Sequence, residues 1–325
     1  MSVPRLTWNG GEAGLQPLGA MIDGLRLRLP DGRMVTPLAT APWADDPALP
    51  GIMRRLRGEW PCVPFGSEDL VPLPARWPQP SGAAVAPHGH GSNHDWVVTQ
   101  DGSGLHAVID YPDTAPIHRL ERLLQPDGAG VVMTLRVTPR RDCCLPIALH
   151  PVLRLPDTAG AARLDVGQHK AVWSHPQMPP ADPCPLAPDH VSPALTQMRR
   201  ADGGAIDLTR LPLEEAAECR VLIPDAEGHA SLSHLQEDWK VTLDWDRADF
   251  PGLMLWVSNR GRAHAPWNSR HLALGVEPCR AAFDLGQTVS AAVNPLADVM
   301  PTVQTFHAGQ VWESRYRIGV APLTD

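Results

Sequence analysis

Gly130-Val131-Val132-Met133-Thr134-Leu135-Arg136-Val137, followed after one residue by Pro139, is the stretch whose reading decides the fold. Met133, Leu135 and Val137 alternate with Thr134 and Arg136. The side chains of a strand point to opposite faces in turn, so this run puts its apolar residues on one side, as a half-buried β-strand requires. Lys240-Val241-Thr242-Leu243-Asp244-Trp245 alternates in the same way. Short apolar runs bounded by turn residues recur on either side: Leu25 to Leu29 before Pro30-Asp31-Gly32, and Leu253 to Val257 before Asn259-Arg260-Gly261. The 36 prolines and 27 glycines are spread along the whole chain and leave few windows long enough for a helix. The longest helical candidates, Ile117 to Leu124 and Leu213 to Cys219, are short. Proline crowding from Trp173 to Val191 predicts a long surface excursion rather than a linker. With no internal repeat, the expectation is an all-β chain forming one large antiparallel β-sandwich domain over residues 1–325.

Charge narrows the function. Lys and Arg number 28 against 36 Asp and Glu, a net charge of −8, which disfavours nucleic acid and anionic membranes as partners. The basic run Arg54-Arg55-Leu56-Arg57 is too short to reverse this. No apolar run reaches the roughly 18 residues of a membrane span, and Met1 to Gly14 lacks the basic start and apolar middle of a secretory signal. A soluble cytoplasmic protein is expected. Cys62, Cys143, Cys144, Cys184, Cys219 and Cys279 show no paired metal spacing and read as reduced, mostly buried thiols.

Three islands carry the candidate chemistry. Pro87-His88-Gly89-His90-Gly91-Ser92-Asn93-His94-Asp95-Trp96 concentrates imidazoles beside glycines that let the backbone approach a ligand. It reads as a polar loop, as a metal site built from His88, His90 and His94, or as a source of proton carriers. Against the metal, no glutamate follows at the distance usual in cupins. His150, in Leu149-His150-Pro151, is either a satisfied core histidine or an acid–base group. Glu277 ends the apolar run Leu272-Ala273-Leu274-Gly275-Val276 and is followed by Pro278. Desolvation there raises a carboxyl pKa and makes a stronger base toward a hydroxyl. The chain holds 11 tryptophans against two tyrosines and four phenylalanines. Trp256 and Trp267 read first as core residues.

At this order and spacing the islands resemble the aldose 1-epimerase, or mutarotase, family. His88, Gly89, Asn93 and Trp96 match its His-Gly…Asn…Trp segment, with Ser92 where the family has arginine. His150-Pro151 matches its His-Pro pair, with Val152-Leu153 in place of two aromatics, and Glu277-Pro278-Cys279 resembles the segment holding its base. Gly19 to Leu25, Val35 to Leu38 and Gly309 to Ile318 resemble its opening and closing strands, so the likeness spans nearly the whole chain. The resemblance implies the galactose mutarotase-like supersandwich and an aldose sugar as partner. It also implies interconversion of α and β anomers through an opened ring, with no metal or organic cofactor. Glu277 would take the C1 hydroxyl proton, His150 would protonate the ring oxygen, and His88 would stabilise developing charge. Asn93, Arg57, Trp256 and Trp267 are the expected substrate contacts, and Asp244 or Asp246 stands for a sugar-binding aspartate. A non-catalytic carbohydrate binder remains open, as does a hexose 6-phosphate mutarotase using Arg54, Arg55, Arg57 or Arg270. Which sugar is bound and the oligomeric state are not legible.

Overall fold

A computed structural model describes residues 3–69, 72–83, 85–102, 104–177 and 182–323. Two antiparallel sheets form its body, one of nine strands and one of eight. The nine-stranded sheet contains the Gly130–Pro139 strand, with Ile117–Pro126 on one side and Trp312–Pro322 on the other. Trp239–Trp245 pairs with that closing strand. Val131, Met133, Leu135 and Val137 are all buried between the sheets. Each such side chain contributes about 1.5–3 kcal/mol of transfer free energy. Trp239–Trp245 alternates between buried and half-buried positions because only one face of this sheet is covered.

The eight-stranded sheet is covered on both faces, and its strands read as near-continuous apolar runs. Every residue of Gly252–Asn259 is buried, as are all but the two ends of Leu272–Arg280. On the first strand Leu253, Leu255 and Val257 face the inter-sheet core, whereas Met254 and Trp256 join a second apolar cluster on the opposite face. Residues between Ala41 and Trp77 and between Ala281 and Met300 supply most of the rest of that second cluster. The site described below lies on this covered face.

Neither helical candidate is helical. Ile117 to Leu124 lies in the strand Ile117–Pro126, where a register shift between Ile117 and Arg119 lets Ile117 and Leu120 share a face despite their helix-like spacing. Arg122 is fully buried on that face. It hydrogen-bonds the Ala20 carbonyl, the Glu59 carboxylate and the Tyr316 hydroxyl. Leu213 to Cys219 runs from a loop into the strand Ala217–Ile223. All six cysteines are free, but only Cys62, Cys219 and Cys279 are buried; Cys143 and Cys184 are half-buried and Cys144 is exposed. Among the described residues no helix is long and apolar enough to cross a membrane.

Candidate active site

Sheet register brings the second and third islands together. Ile147–Leu149 pairs antiparallel with Leu272–Arg280, Ala148 opposite Cys279, and Val152–Arg154 pairs with the same strand, Val152 opposite Gly275. The intervening His150 and Glu277 therefore face each other across the two strands. The His150 amide donates to the Trp60 carbonyl, and the Val276 amide donates to the Pro151 carbonyl. The first island arrives on the Pro64 to Ser67 loop, whose Gly66 carbonyl accepts the His88 amide. His88 has φ 62°, a left-handed conformation that is costly for a residue with a Cβ and is concentrated at functional sites. The short helix Gly89–Asn93 follows it. At Gly89, φ 81°, a Cβ would collide with the Val63 carbonyl.

The resulting cluster is enclosed. His150 Nε2 lies 3.6 Å from Glu277 Oε1, with the side chains 6% and 1% exposed. The His88 ring meets the His150 ring edge-on at 5.2 Å, and Trp60 stacks on His150 at 4.1 Å. Both Glu277 carboxyl oxygens, His150 Nδ1 and His88 Nδ1 are buried with no hydrogen-bond partner among the described residues. A buried polar atom left unpaired costs about 1–3 kcal/mol, and such atoms concentrate where a ligand supplies the missing partner. Burial, then the charge of Asp284, pushes the Glu277 carboxyl well above the usual carboxylate range. Burial, then His88, holds the His150 imidazole well below its ordinary value, and burial brings His88 down to about 4. Both shifts favour the uncharged pair, with the proton on the Glu277 carboxyl; its passage to His150 gives the carboxylate–imidazolium pair. Either arrangement can donate on one side and accept on the other.

No protein-family model and no curated protein matches the chain. Solved structures do. A candidate aldose 1-epimerase from Escherichia coli K12 superimposes with a TM-score of 0.67 at 16% identity, covering 99% of both chains. Slr1438 from Synechocystis sp. PCC 6803 gives 0.67 at 14%, covering 99% of this chain and 96% of that one. The GalM/aldose epimerase homologue from C. elegans gives 0.65 at 12%, covering 99% of both. This chain has the galactose mutarotase-like fold.

Within the mutarotase-like fold, the other expected site residues have varied surroundings. Asn93 staples the island: its Nδ2 donates to the Pro87 and Gly89 carbonyls and its Oδ1 accepts from the Ile52 amide. Arg57 is held by Asp23 and Asp45, each at 2.8 Å. Trp256 meets His150 edge-on at 6.1 Å, while its Nε1 donates to Glu218. Trp267 carries the Arg262 guanidinium over its ring at 4.3 Å. Ser92 is buried, its hydroxyl donating to the Pro61 and His88 carbonyls. His90 and His94 stack on each other at 3.8 Å and line an apolar cavity of about 580 Å³, so they do not converge with His88 on an ion. That cavity contains none of His88, His150 and Glu277. Asp244 and Asp246 are corrected. Asp244 bonds His229 on the open face of the nine-stranded sheet, and Asp246 caps the Ala248 amide in the turn beyond it.

Sequence reasoning missed a polar group beside the cluster. Arg220 Nη1 lies 2.7 Å from Asp284 Oδ2, and His175 Nε2 lies 2.9 Å from Asp284 Oδ1. All three line a cavity of about 300 Å³ whose walls include none of His88, His150 and Glu277, but the Asp284 charge acts on all three. Burial opposes ionisation of Asp284, but Arg220 and the His175 hydrogen bond hold its carboxyl well below the usual range. Two signals were available: the alternation that puts Arg220 on the same face as Leu222, and the position of Asp284 seven residues beyond Glu277.

Proposed function

We propose that the protein is an aldose 1-epimerase acting on a free aldose. The observation that carries this reading is the buried Glu277–His150 pair at 3.6 Å, with both carboxyl oxygens unpartnered. Interconverting anomers requires removing the proton of the C1 hydroxyl while the ring oxygen, attached to the same carbon, gains one. A donor and an acceptor side by side meet that demand. In the arrangement with Glu277 as carboxylate and His150 as imidazolium, Glu277 takes the C1 hydroxyl proton and His150 delivers its proton to the ring oxygen. The C1–O5 bond breaks and C1 becomes an aldehyde. Rotation about C1–C2 presents the other carbonyl face, and O5 closes on it as both protons return. His88, neutral at pH 7, sits edge-on to His150 and donates a hydrogen bond toward the ring oxygen. The site residues are thus Glu277, His150 and His88, with Trp256 at their edge.

A free sugar is favoured over its 6-phosphate. Arg55 and Arg57 are paired with Asp45, Arg54 lies 3.9 Å from Asp95, and Arg270 donates to the Pro266 carbonyl. Polarimetry of freshly dissolved α-D-glucose and α-D-galactose tests the proposal. Added protein should speed relaxation to the unchanged final rotation, and His150→Asn should remove most of that acceleration. A wild-type trace that overlays the spontaneous one for every aldose tried overturns it.

A further inference from the structure

We propose that Asp284, fixed by Arg220 and His175, is the residue that reads the sugar's hydroxyl pattern, in a subsite formed by the cavity beside Glu277. The inference rests on the aldose reading above. Each Asp284 carboxylate oxygen accepts one bond, Oδ1 from His175 and Oδ2 from Arg220, and an ionised carboxylate has about four acceptor positions. Its side chain is 21% exposed, and the cavity supplies that opening. His175 is only 5% exposed and is held at both ring nitrogens, Nδ1 lying 2.8 Å from the Gln177 carbonyl and Nε2 2.9 Å from Asp284 Oδ1. The carboxylate is therefore rigid, ionised and part-open, as an acceptor for a pair of neighbouring hydroxyls should be.

The backbone holds this residue in place. Phe283, immediately before it, has φ 52°, an outlier for a bulky side chain, and packs edge-on against His175 at 4.9 Å. The Ser67 amide donates to the Asp284 carbonyl, on the same loop whose Gly66 carbonyl holds His88. A substrate in this cavity would contact a wall anchored to the loop that positions His88. Charge identifies the ligand class. The two arginines of the cavity are both matched, Arg220 by Asp284 and Arg262 by Asp182 at 3.1 Å and Glu218 at 3.5 Å. A phosphate or carboxylate group would find no unpaired cation here, whereas an uncharged polyol finds acceptors and N–H donors together.

The experiment measures kcat/KM for mutarotation of glucose and of its 2-, 3-, 4- and 6-deoxy analogues with wild type and Asp284→Asn. A lost charge-assisted hydrogen bond corresponds to about 10- to 100-fold. Wild type should penalise at least one analogue by about that factor, and Asp284→Asn should treat that analogue and glucose alike. The same ranking of sugars in both proteins overturns the proposal, whatever the absolute loss. Ser67→Trp, which puts an indole on the cavity wall, should raise KM for every aldose, and an unchanged KM likewise overturns the proposal should Asp284→Asn fail to fold. Saturation-transfer NMR of sugar binding separates the two readings. If wild type binds sugar without turning it over and Asp284→Asn loses that binding, the mutarotase reading fails and the subsite stands.

Discussion

Replacing Glu277 by glutamine should slow the protein and stabilise it at the same time. The carboxyl is 1% exposed and neither oxygen has a partner, so the folded protein bears the cost of keeping it either protonated or charged without compensation. Its folded pKa lies above the unfolded value near 4.5. Relative to the unfolded chain, the native state therefore binds an extra proton as pH rises past 4.5, and stability falls until the folded pKa is passed. One proton corresponds to about 1.4 kcal/mol per pH unit over that window. Glutamine has nearly the same shape and no ionisation, so Glu277→Gln should match wild type within about 1 kcal/mol at pH 4 and exceed it by about 1–3 kcal/mol at pH 8. Loss of the base should lower kcat by about 10²- to 10⁴-fold with little change in KM. Urea melts at the two pH values and polarimetric progress curves give both numbers. A variant that retains wild-type kcat rules out Glu277 as the base, and one less stable than wild type at pH 8 rules out an uncompensated buried carboxyl.

Three further outcomes follow from the same geometry. A Cβ on Gly275 would lie 2.5 Å from Glu277 Oε1 and 3.1 Å from the Trp256 Cβ, so Gly275→Ala should displace the carboxyl and lower kcat by about 10²-fold while the far-ultraviolet circular dichroism is unchanged. Arg122→Met strands the buried Glu59 carboxylate and should cost about 3–5 kcal/mol in urea melts, with Glu59→Gln in the same chain restoring part of it. The folded pKa of His88, about 4, lies below its ordinary 6.5, so the stability it contributes is complete above 6.5 and is lost as pH falls toward 4; His88→Gln should flatten the acid limb of the stability–pH curve.

Much of the fold was legible because it rests on alternation. Gly130 to Val137 and Lys240 to Trp245 show the period of a half-buried strand, and they lie in the sheet with one solvated face. Ile117 to Leu124 was not legible, because a bulge imitates helical spacing and the buried Arg122 interrupts the apolar face; its partner Glu59 lies 63 residues away. The three islands could be found because each carries an unusual residue in a local pattern. Their meeting depends on the register that sets His150 opposite Glu277. Asp284, Arg220 and His175 come from separate segments, and only the folded chain joins them. Asp244 and Asp246 looked equivalent to any other aspartate until the sheets assigned them to the far layer.

The most direct test is NMR exchange spectroscopy of an equilibrated aldose in deuterated buffer, following H1 of both anomers and the C2–H signal. Acid–base ring opening at Glu277 and His150 predicts that the protein accelerates exchange between the α and β H1 signals while C2 keeps its hydrogen. An unchanged exchange rate for every free aldose tried, or deuterium appearing at C2, would contradict the account.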